Sequence, residues 1–130
     1  MTEMEASPSP LIGRRVLVVE DEGLIAMQLE FDLQEVGCEV VGPAPAVRQA
    51  LRLIEREAVD VAVLDYQLRG ETSRVIADAL IARNIPFLLL TGHALNDLPG
   101  ELQDQLCLAK PADCEVLIAA LEAIVTTAAN

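Results

Sequence analysis

The sequence predicts a single α/β domain built on a parallel sheet. Five short apolar runs rich in β-branched residues are separated by stretches long enough for a helix and two turns. The runs are apolar almost throughout, as expected for strands covered by helices on both faces, rather than alternating like a half-exposed strand. A chain of 130 residues suits one such domain. We therefore expect five parallel strands that alternate with five helices.

The predicted strands follow the apolar runs. They cover residues 16–19, 40–41, 61–64, 87–90 and 106–108. Helical crossovers make all such strands point the same way, so their carboxyl ends meet along one edge of the sheet, where ligands bind.

The predicted helices fill the gaps between the strands. Residues 22–36 form the first helix, which ends before Gly37. Its expected apolar stripe consists of Leu24, Ile25, Met27, Leu29 and Leu33. The second, third and fifth helices are expected at residues 46–57, 72–83 and 113–127. The fourth has only the 18 residues between Thr91 and Lys110, interrupted by Pro99-Gly100, and is expected to be short or irregular.

The start of the chain differs in composition from the rest. The first ten residues mix Pro, Ser and Glu with little apolar content and have no positively charged start. We expect a disordered tail over residues 1–12 and the domain over residues 13–130. No apolar run approaches the roughly 20 residues that span a bilayer, so a soluble cytoplasmic protein without membrane insertion is expected.

Charge and cysteine content exclude some functions. The net charge of −12 repels phosphate backbones, and the arginines are scattered or lie on the second helix without forming a dominant basic face. Direct binding of nucleic acid is therefore not expected. The three cysteines have neither metal-ligand spacing nor even pairing, and are expected to be small buried apolar residues in a reducing compartment.

Charged residues occur just after three of the predicted strands. Glu20 and Asp21 follow the first strand, Asp65 follows the third, and the single lysine, Lys110, precedes Pro111 after the fifth. Carboxylates brought together at one sheet edge repel each other unless a cation is present. Mg²⁺ or Mn²⁺ prefers such oxygen ligands and would leave room for a backbone carbonyl and a phosphoryl oxygen.

The remaining residues suggest phosphoryl chemistry. Lys110 would supply a compact positive charge for one phosphoryl oxygen and Thr91, at the end of the fourth strand, a hydroxyl donor for another. No Ser-His or Cys-His arrangement fits a nucleophile, whereas an aspartate can attack phosphorus. Asp65 is the candidate nucleophile because Glu20 and Asp21 are adjacent and suit joint metal binding.

Four motifs with these residues resemble the response regulator receiver domain. They are VLVVEDE at residues 16–22, VAVLDYQLRG at 61–70, LLLTGH at 88–93 and LAKP at 108–111. The resemblance implies a flavodoxin-like doubly wound sheet of strand order 2-1-3-4-5. It also implies that Asp65 accepts a phosphoryl group from a sensor histidine kinase or a histidine phosphotransfer protein, and that the signal passes to a further protein by contact.

The resemblance also assigns roles to the other site residues. Asp21 resembles the direct metal ligand, Glu20 the partner that holds the metal through water, and Gln67 the donor of a backbone carbonyl. Thr91 and Lys110 resemble the pair that contacts the phosphoryl group. Gln67 and His93 stand where side chains line the path of the hydrolytic water.

The chain departs from the common receiver pattern in three places. The loop after Asp65 reads Leu68-Arg69-Gly70 where Pro often precedes the Gly, Pro99 interrupts the fourth helix, and the switch position differs. Many receivers have an aromatic switch residue three positions before the lysine, where this chain has Cys107. The pattern is similar to single-domain receivers that lack the switch aromatic, so the segment from Gly92 to Gln105 is expected to carry the response instead.

Three alternatives remain open from the residues. A Mg²⁺-dependent phosphatase with an aspartyl nucleophile generally needs a second acid two residues later, where this chain has Gln67. A flavin carrier needs a phosphate-binding loop after the first strand, where this chain is acidic. A partner-binding domain that works without phosphorylation would not need the full set of acceptor residues.

Overall fold

The computed structural model describes residues 8–92 and 106–128. The main sheet contains β1 (Arg15–Val19), β2 (Glu39–Ala44), β3 (Val61–Asp65), β6 (Phe87–Thr91) and β7 (Cys107–Ala109). A small hairpin contains β4 (Gln67–Leu68) and β5 (Glu71–Thr72). The described helices are α1 (Gly23–Val36), α2 (Val47–Arg56), α3 (Arg74–Ala82) and α4 (Cys114–Ala128).

The main sheet is parallel and has the strand order β2-β1-β3-β6-β7. Counted along the chain without the hairpin, this is the predicted order 2-1-3-4-5, so the flavodoxin-like fold is confirmed. The strands β3 and β6 are buried over their whole length, which explains their continuous apolar runs.

Successive side chains of each central strand enter different cores. In β1, Leu17 and Val19 pack on one side of the sheet with residues of α2 and α3, whereas Val16 and Val18 pack on the other with residues of α1 and α4. This division follows from the two-residue repeat of a strand. The helices therefore cover both faces of the sheet.

The predicted apolar stripe of α1 is wrong in two positions. Leu24 is 81% exposed and Met27 is 65% exposed, while Ala26, Leu29 and Leu33 are buried. The helix is apolar on both of its faces, so periodicity alone could not indicate which face packs on the sheet.

The described residues before the predicted domain boundary at residue 13 make contacts with the domain. Leu11 is fully buried in the core beside α1 and α4, and the Ser9 hydroxyl donates a hydrogen bond to the Glu122 carboxylate at 2.7 Å. The Gly13 N–H donates to the Gly37 carbonyl at 2.8 Å. The described part of the predicted tail, from residue 8, is therefore packed on the domain.

Two further features bear on the sequence predictions. The hairpin β4–β5 was not predicted, and its buried Leu68 joins the core beside α2 and α3. The predicted irregular fourth helix and most of the proposed response segment lie in residues 93–105, outside the described residues. Among residues 8–92 and 106–128, no helix is long and apolar enough to cross a membrane.

Candidate acidic and lysine site

The parallel sheet brings the predicted site residues together at the carboxyl ends of its strands. Glu20 directly follows β1, Asp65 is the last residue of β3, Thr91 is the last residue of β6 and Lys110 directly follows β7. The Glu20 N–H donates to the Ala44 carbonyl at 3.1 Å, and the Lys110 N–H donates to the Thr91 carbonyl at 2.9 Å. These backbone bonds fix where the side chains emerge from the sheet.

Three carboxylates form one cluster at this edge. Oxygen atoms of Glu20, Asp21 and Asp65 all lie within 4.8 Å of one another. Glu20 and Asp65 are each only 2% exposed, and Asp21 is half-buried. Their proximity confirms the geometric prediction, since adjacent parallel strands end beside each other.

Lys110 provides the counter-charge for the two buried carboxylates. Its Nζ atom donates a hydrogen bond to Asp65 Oδ2 at 2.9 Å and lies 3.4 Å from Glu20 Oε1. Burial by itself would lower the pKa of Lys110, but the hydrogen bond and charge of Asp65, together with Glu20, raise that pKa. The lysine therefore stays charged within the site.

Glu20 is the most strongly perturbed carboxyl group of the cluster. Burial raises its pKa to about 7, and the negative charge of Asp65 acts in the same direction. The backbone N–H of Glu22, which donates to Glu20 Oε2 at 3.1 Å, and the charge of Lys110 oppose this increase. A pKa of about 7 means that Glu20 is partly protonated at neutral pH when no metal is bound.

The donor set suits a divalent cation that prefers oxygen. Glu20 Oε1 is buried and accepts no hydrogen bond from the described residues, since Lys110 Nζ donates to Glu20 Oε2 and Asp65 Oδ2 instead. A buried carboxylate oxygen in this state has lone pairs available for a metal or for a water bound to it. All three candidate ligands are carboxylates, which fits Mg²⁺ or Mn²⁺ better than a softer metal.

Thr91 and Gln67 occupy different environments. Thr91 is buried and pairs with Ala109 of β7, so its side chain belongs to the sheet edge that carries the site. Gln67 is exposed as the first residue of β4, two residues beyond Asp65. His93 lies outside the described residues.

Cys107 lies where the common switch aromatic would stand. It is half-buried in β7 and pairs with Leu89 of β6. Of the other cysteines, Cys38 is buried as predicted, but Cys114 is exposed at the start of α4, which corrects the prediction that all three are buried. No disulfide joins any of the three within the described part of the chain.

Sequence reasoning missed one charged residue near the site. Arg69 lies between β4 and β5, and its Nε atom is 3.8 Å from Asp21 Oδ2. A positive charge four residues beyond Asp65 was the available signal, but the distance to Asp21 depends on a hairpin that was not predicted.

The fold and this site define a class of doubly wound α/β domains that carry an acidic cluster and a lysine at the strand ends. Residues 16–122 match the family model of the response regulator receiver domain. The chain therefore belongs to the response regulator receiver family, the signalling domains of two-component systems, and the resemblance found in the sequence motifs is confirmed.

Two curated regulators are similar to this chain. The transcriptional regulatory protein PdtaR of Mycobacterium tuberculosis is 32% identical over 130 residues, covering 97% of this chain and 63% of the relative. The phyllosphere-induced regulator PhyR of Methylorubrum extorquens is 32% identical over 104 residues, covering 77% of this chain and 39% of the relative. The chain thus spans less than two thirds of the length of either protein.

Solved structures show the same fold. SdrG from Sphingomonas melonis Fr1 has a TM-score of 0.75 and 37% identity, covering 88% of this chain and 98% of that chain. PhyR from Brucella abortus, with a TM-score of 0.79 and 28% identity, covers 90% of this chain and 49% of that chain.

Proposed function

We propose that this chain is the phosphoryl-accepting component of a two-component system or phosphorelay, with Asp65 as the acceptor. The observation that carries the proposal is the setting of the Asp65 carboxylate. It is buried, bonded to Lys110 at 2.9 Å, and clustered with Glu20 and Asp21. A structural aspartate needs only one partner, whereas this arrangement keeps two further carboxylates beside it at an electrostatic cost.

The chemistry follows from these atoms. An Asp65 carboxylate oxygen forms a bond to phosphorus while the bond from phosphorus to the donor nitrogen of a histidine breaks, leaving an acyl phosphate on Asp65. Lys110 compensates the negative charge that arrives with the phosphoryl oxygens, and Thr91 supplies a hydroxyl donor at the same edge. The lysine therefore acts on both the resting and the phosphorylated site.

Glu20, Asp21, Asp65 and the Gln67 carbonyl are the residues that we propose to hold Mg²⁺ or Mn²⁺. When bound, the divalent cation neutralises the carboxylates and screens the incoming phosphoryl group from them. Asp21 is the accessible carboxylate of the cluster, which suits a direct ligand. Glu20 is buried and suits a contact through water.

A surface for the phosphoryl donor adjoins this site. A groove of about 260 Å³ runs between α1 and the segment that follows β7, and Lys110 and Pro111 form part of its wall. On the outer side of α1, Leu24, Met27 and Phe31 are all exposed. Their spacing of three and four residues puts them on one face of the helix, which fits an apolar helix of a histidine kinase or phosphotransfer protein.

The test uses a small phosphodonor with Mg²⁺ and follows acid-labile, hydroxylamine-sensitive phosphorylation. We expect Asp65→Asn to abolish labelling because the attacking oxygen is lost. Asp78→Asn is the matched control, since Asp78 is an exposed residue of α3 that pairs with Arg74 away from the cluster. Full labelling of the Asp65→Asn protein would place the acceptor elsewhere and contradict the proposal.

A further inference from the structure

Arg69 lies at the tip of a hairpin that is anchored beside the acidic cluster. The pairing of Gln67 with Thr72 and of Leu68 with Glu71 leaves Arg69 and Gly70 as a two-residue turn. Gly70 has a φ of +80°, a conformation that a residue with a side chain adopts only with strain.

The base of this hairpin is fixed to the rest of the domain. Leu68 is buried in the core, and the Ser73 N–H donates to the Tyr66 carbonyl at 2.8 Å. The Arg69 side chain is nevertheless 82% exposed, so it can move while its backbone stays in place. Arg69 therefore presents an exposed positive charge from a backbone that the hairpin holds beside the cluster.

The two cations of the site are directed at different carboxylates. Lys110 contacts Asp65 and Glu20, whereas Arg69 Nε lies 3.8 Å from Asp21 Oδ2. Within the described parts of the chain, Arg69 is the one basic residue within ion-pair distance of Asp21. Asp21 is also the carboxylate that a cation entering from solvent reaches most easily, since Glu20 and Asp65 are buried.

We propose that Arg69 competes with the divalent cation for Asp21 and thereby weakens metal binding in the unphosphorylated protein. The inference deepens the proposed function and rests on it, because it assumes that Asp21 binds the metal. A metal ion that enters the cluster must displace the guanidinium or bind beside a positive charge, and both lower its affinity. Arg69 is therefore a positioning residue, which acts through Asp21 rather than on the phosphoryl group.

The size of the effect follows from the exposure of Arg69, whose side chain is 82% exposed, whereas that of Asp21 is 16% exposed. Ion pairs with a solvent-exposed partner at such distances contribute little, because water and salt screen them. We therefore expect removal of the Arg69 charge to tighten metal binding by about two-fold to five-fold, a factor that should shrink as ionic strength rises.

The experiment measures Mn²⁺ affinity directly, from the electron paramagnetic resonance signal of the free ion. Arg69→Gln removes the charge, and Arg69→Lys keeps it. Arg83→Gln is the matched control, because Arg83 is exposed at the end of α3, the opposite end of the domain from the cluster, and its loss changes the net charge by the same amount. We expect tighter binding for Arg69→Gln alone, with both other variants close to the wild type.

Three results would overturn the inference. Unchanged or weaker binding in Arg69→Gln would show that Arg69 does not oppose the metal. Equal tightening in Arg83→Gln would assign the effect to net charge instead of to the contact with Asp21. In both of these cases the proposed function stands if Asp65 is still phosphorylated normally. The third result is absence of metal binding in every variant, which would overturn the proposed function as well.

Discussion

The surroundings of Glu20 disfavour the charged form of its carboxyl group. Its carboxyl group is buried between Asp65 and the end of β1. Lys110 Nζ lies 3.4 Å from Glu20 Oε1 but is closer to Asp65 Oδ2, at 2.9 Å. One lysine therefore cannot fully neutralise two buried carboxylates. The raised pKa of Glu20 is the consequence, and a bound cation would reverse it.

The raised pKa predicts how stability depends on pH in metal-free protein. Because the pKa of Glu20 rises from 4.5 to about 7 on folding, the folded state keeps a proton that the unfolded state loses between these values. The free energy of unfolding should therefore fall as pH rises through this window and level off above it. At about 1.4 kcal/mol per pKa unit, this group contributes at most on the order of 3 kcal/mol.

Urea unfolding of Glu20→Gln at several pH values checks this. The variant should lack the Glu20 part of the decline and should be more stable than the wild type above pH 7, with metal removed by a chelator. Glu35→Gln, at an exposed position of α1, is the control and should keep the wild-type profile. Parallel profiles for Glu20→Gln and the wild type would mean that Glu20 does not titrate as described.

The two faces of the helix α1 differ in burial, since one packs on the sheet and the other is exposed. Its inner face packs Ala26, Leu29 and Leu33 against the sheet, while Met27 and Phe31 on the outer face are exposed. Large apolar side chains that share one exposed helix face commonly mark a protein contact. One face of α1 therefore belongs to the core, and the other face belongs to the proposed docking surface for the phosphoryl donor.

Substitutions on the outer face of α1 should weaken docking of the kinase and leave the phosphorylation chemistry at Asp65 intact. We expect Met27→Ser and Phe31→Ser to slow phosphotransfer at least about five-fold from a histidine kinase that phosphorylates the wild type, since truncation of an anchor residue costs more than about 1 kcal/mol. Labelling by a small phosphodonor should change less than about two-fold, because the acceptor is untouched, and stability should change within about 0.5 kcal/mol.

Ile81→Ser provides the control for this comparison. Ile81 is also an exposed apolar residue, but it lies on α3, on the opposite side of the sheet from α1. An equal loss of phosphotransfer in Ile81→Ser, or an equal loss of small-donor labelling in the α1 variants, would count against a docking role for α1.

On the scale of the whole molecule, the segment before β1 completes one of the two cores. Leu11 fills a position next to α1 and α4, and the adjacent Ile12 is exposed. Apolar burial of this kind stabilises a domain of modest size, for which each core residue is a considerable fraction of the total.

Leu11→Ala should therefore lower the free energy of unfolding by about 2–4 kcal/mol, because it removes buried methyl groups and leaves a cavity. Ile12→Ala is the matched control in the next position and should cost well under 1 kcal/mol. Denaturant titrations of both variants provide the comparison. If both lose similar stability, then Leu11 does not have the core position described.

The sequence by itself determined the sheet and the location of the site. Apolar runs between helical stretches predict five parallel strands, and parallel strands require that residues at their carboxyl ends meet. Glu20, Asp21, Asp65, Thr91 and Lys110 were therefore predictable as one site, since the prediction needs only which residue follows each strand. The strand order and the individual roles came from the similarity of the motifs to receivers, because local periodicity does not specify which strands are neighbours.

Only the tertiary structure decided which residues of each element are buried and which residues of different elements are in contact. Both faces of α1 are apolar, so the buried face depends on what packs against the helix. Leu11 lies in a polar sequence context, and its burial depends on a space left open by α1 and α4. The contact of Arg69 with Asp21 joins residues that are far apart in sequence, through a hairpin of only two residues per strand. Such features depend on distances between elements, and a local sequence pattern contains no information about those distances.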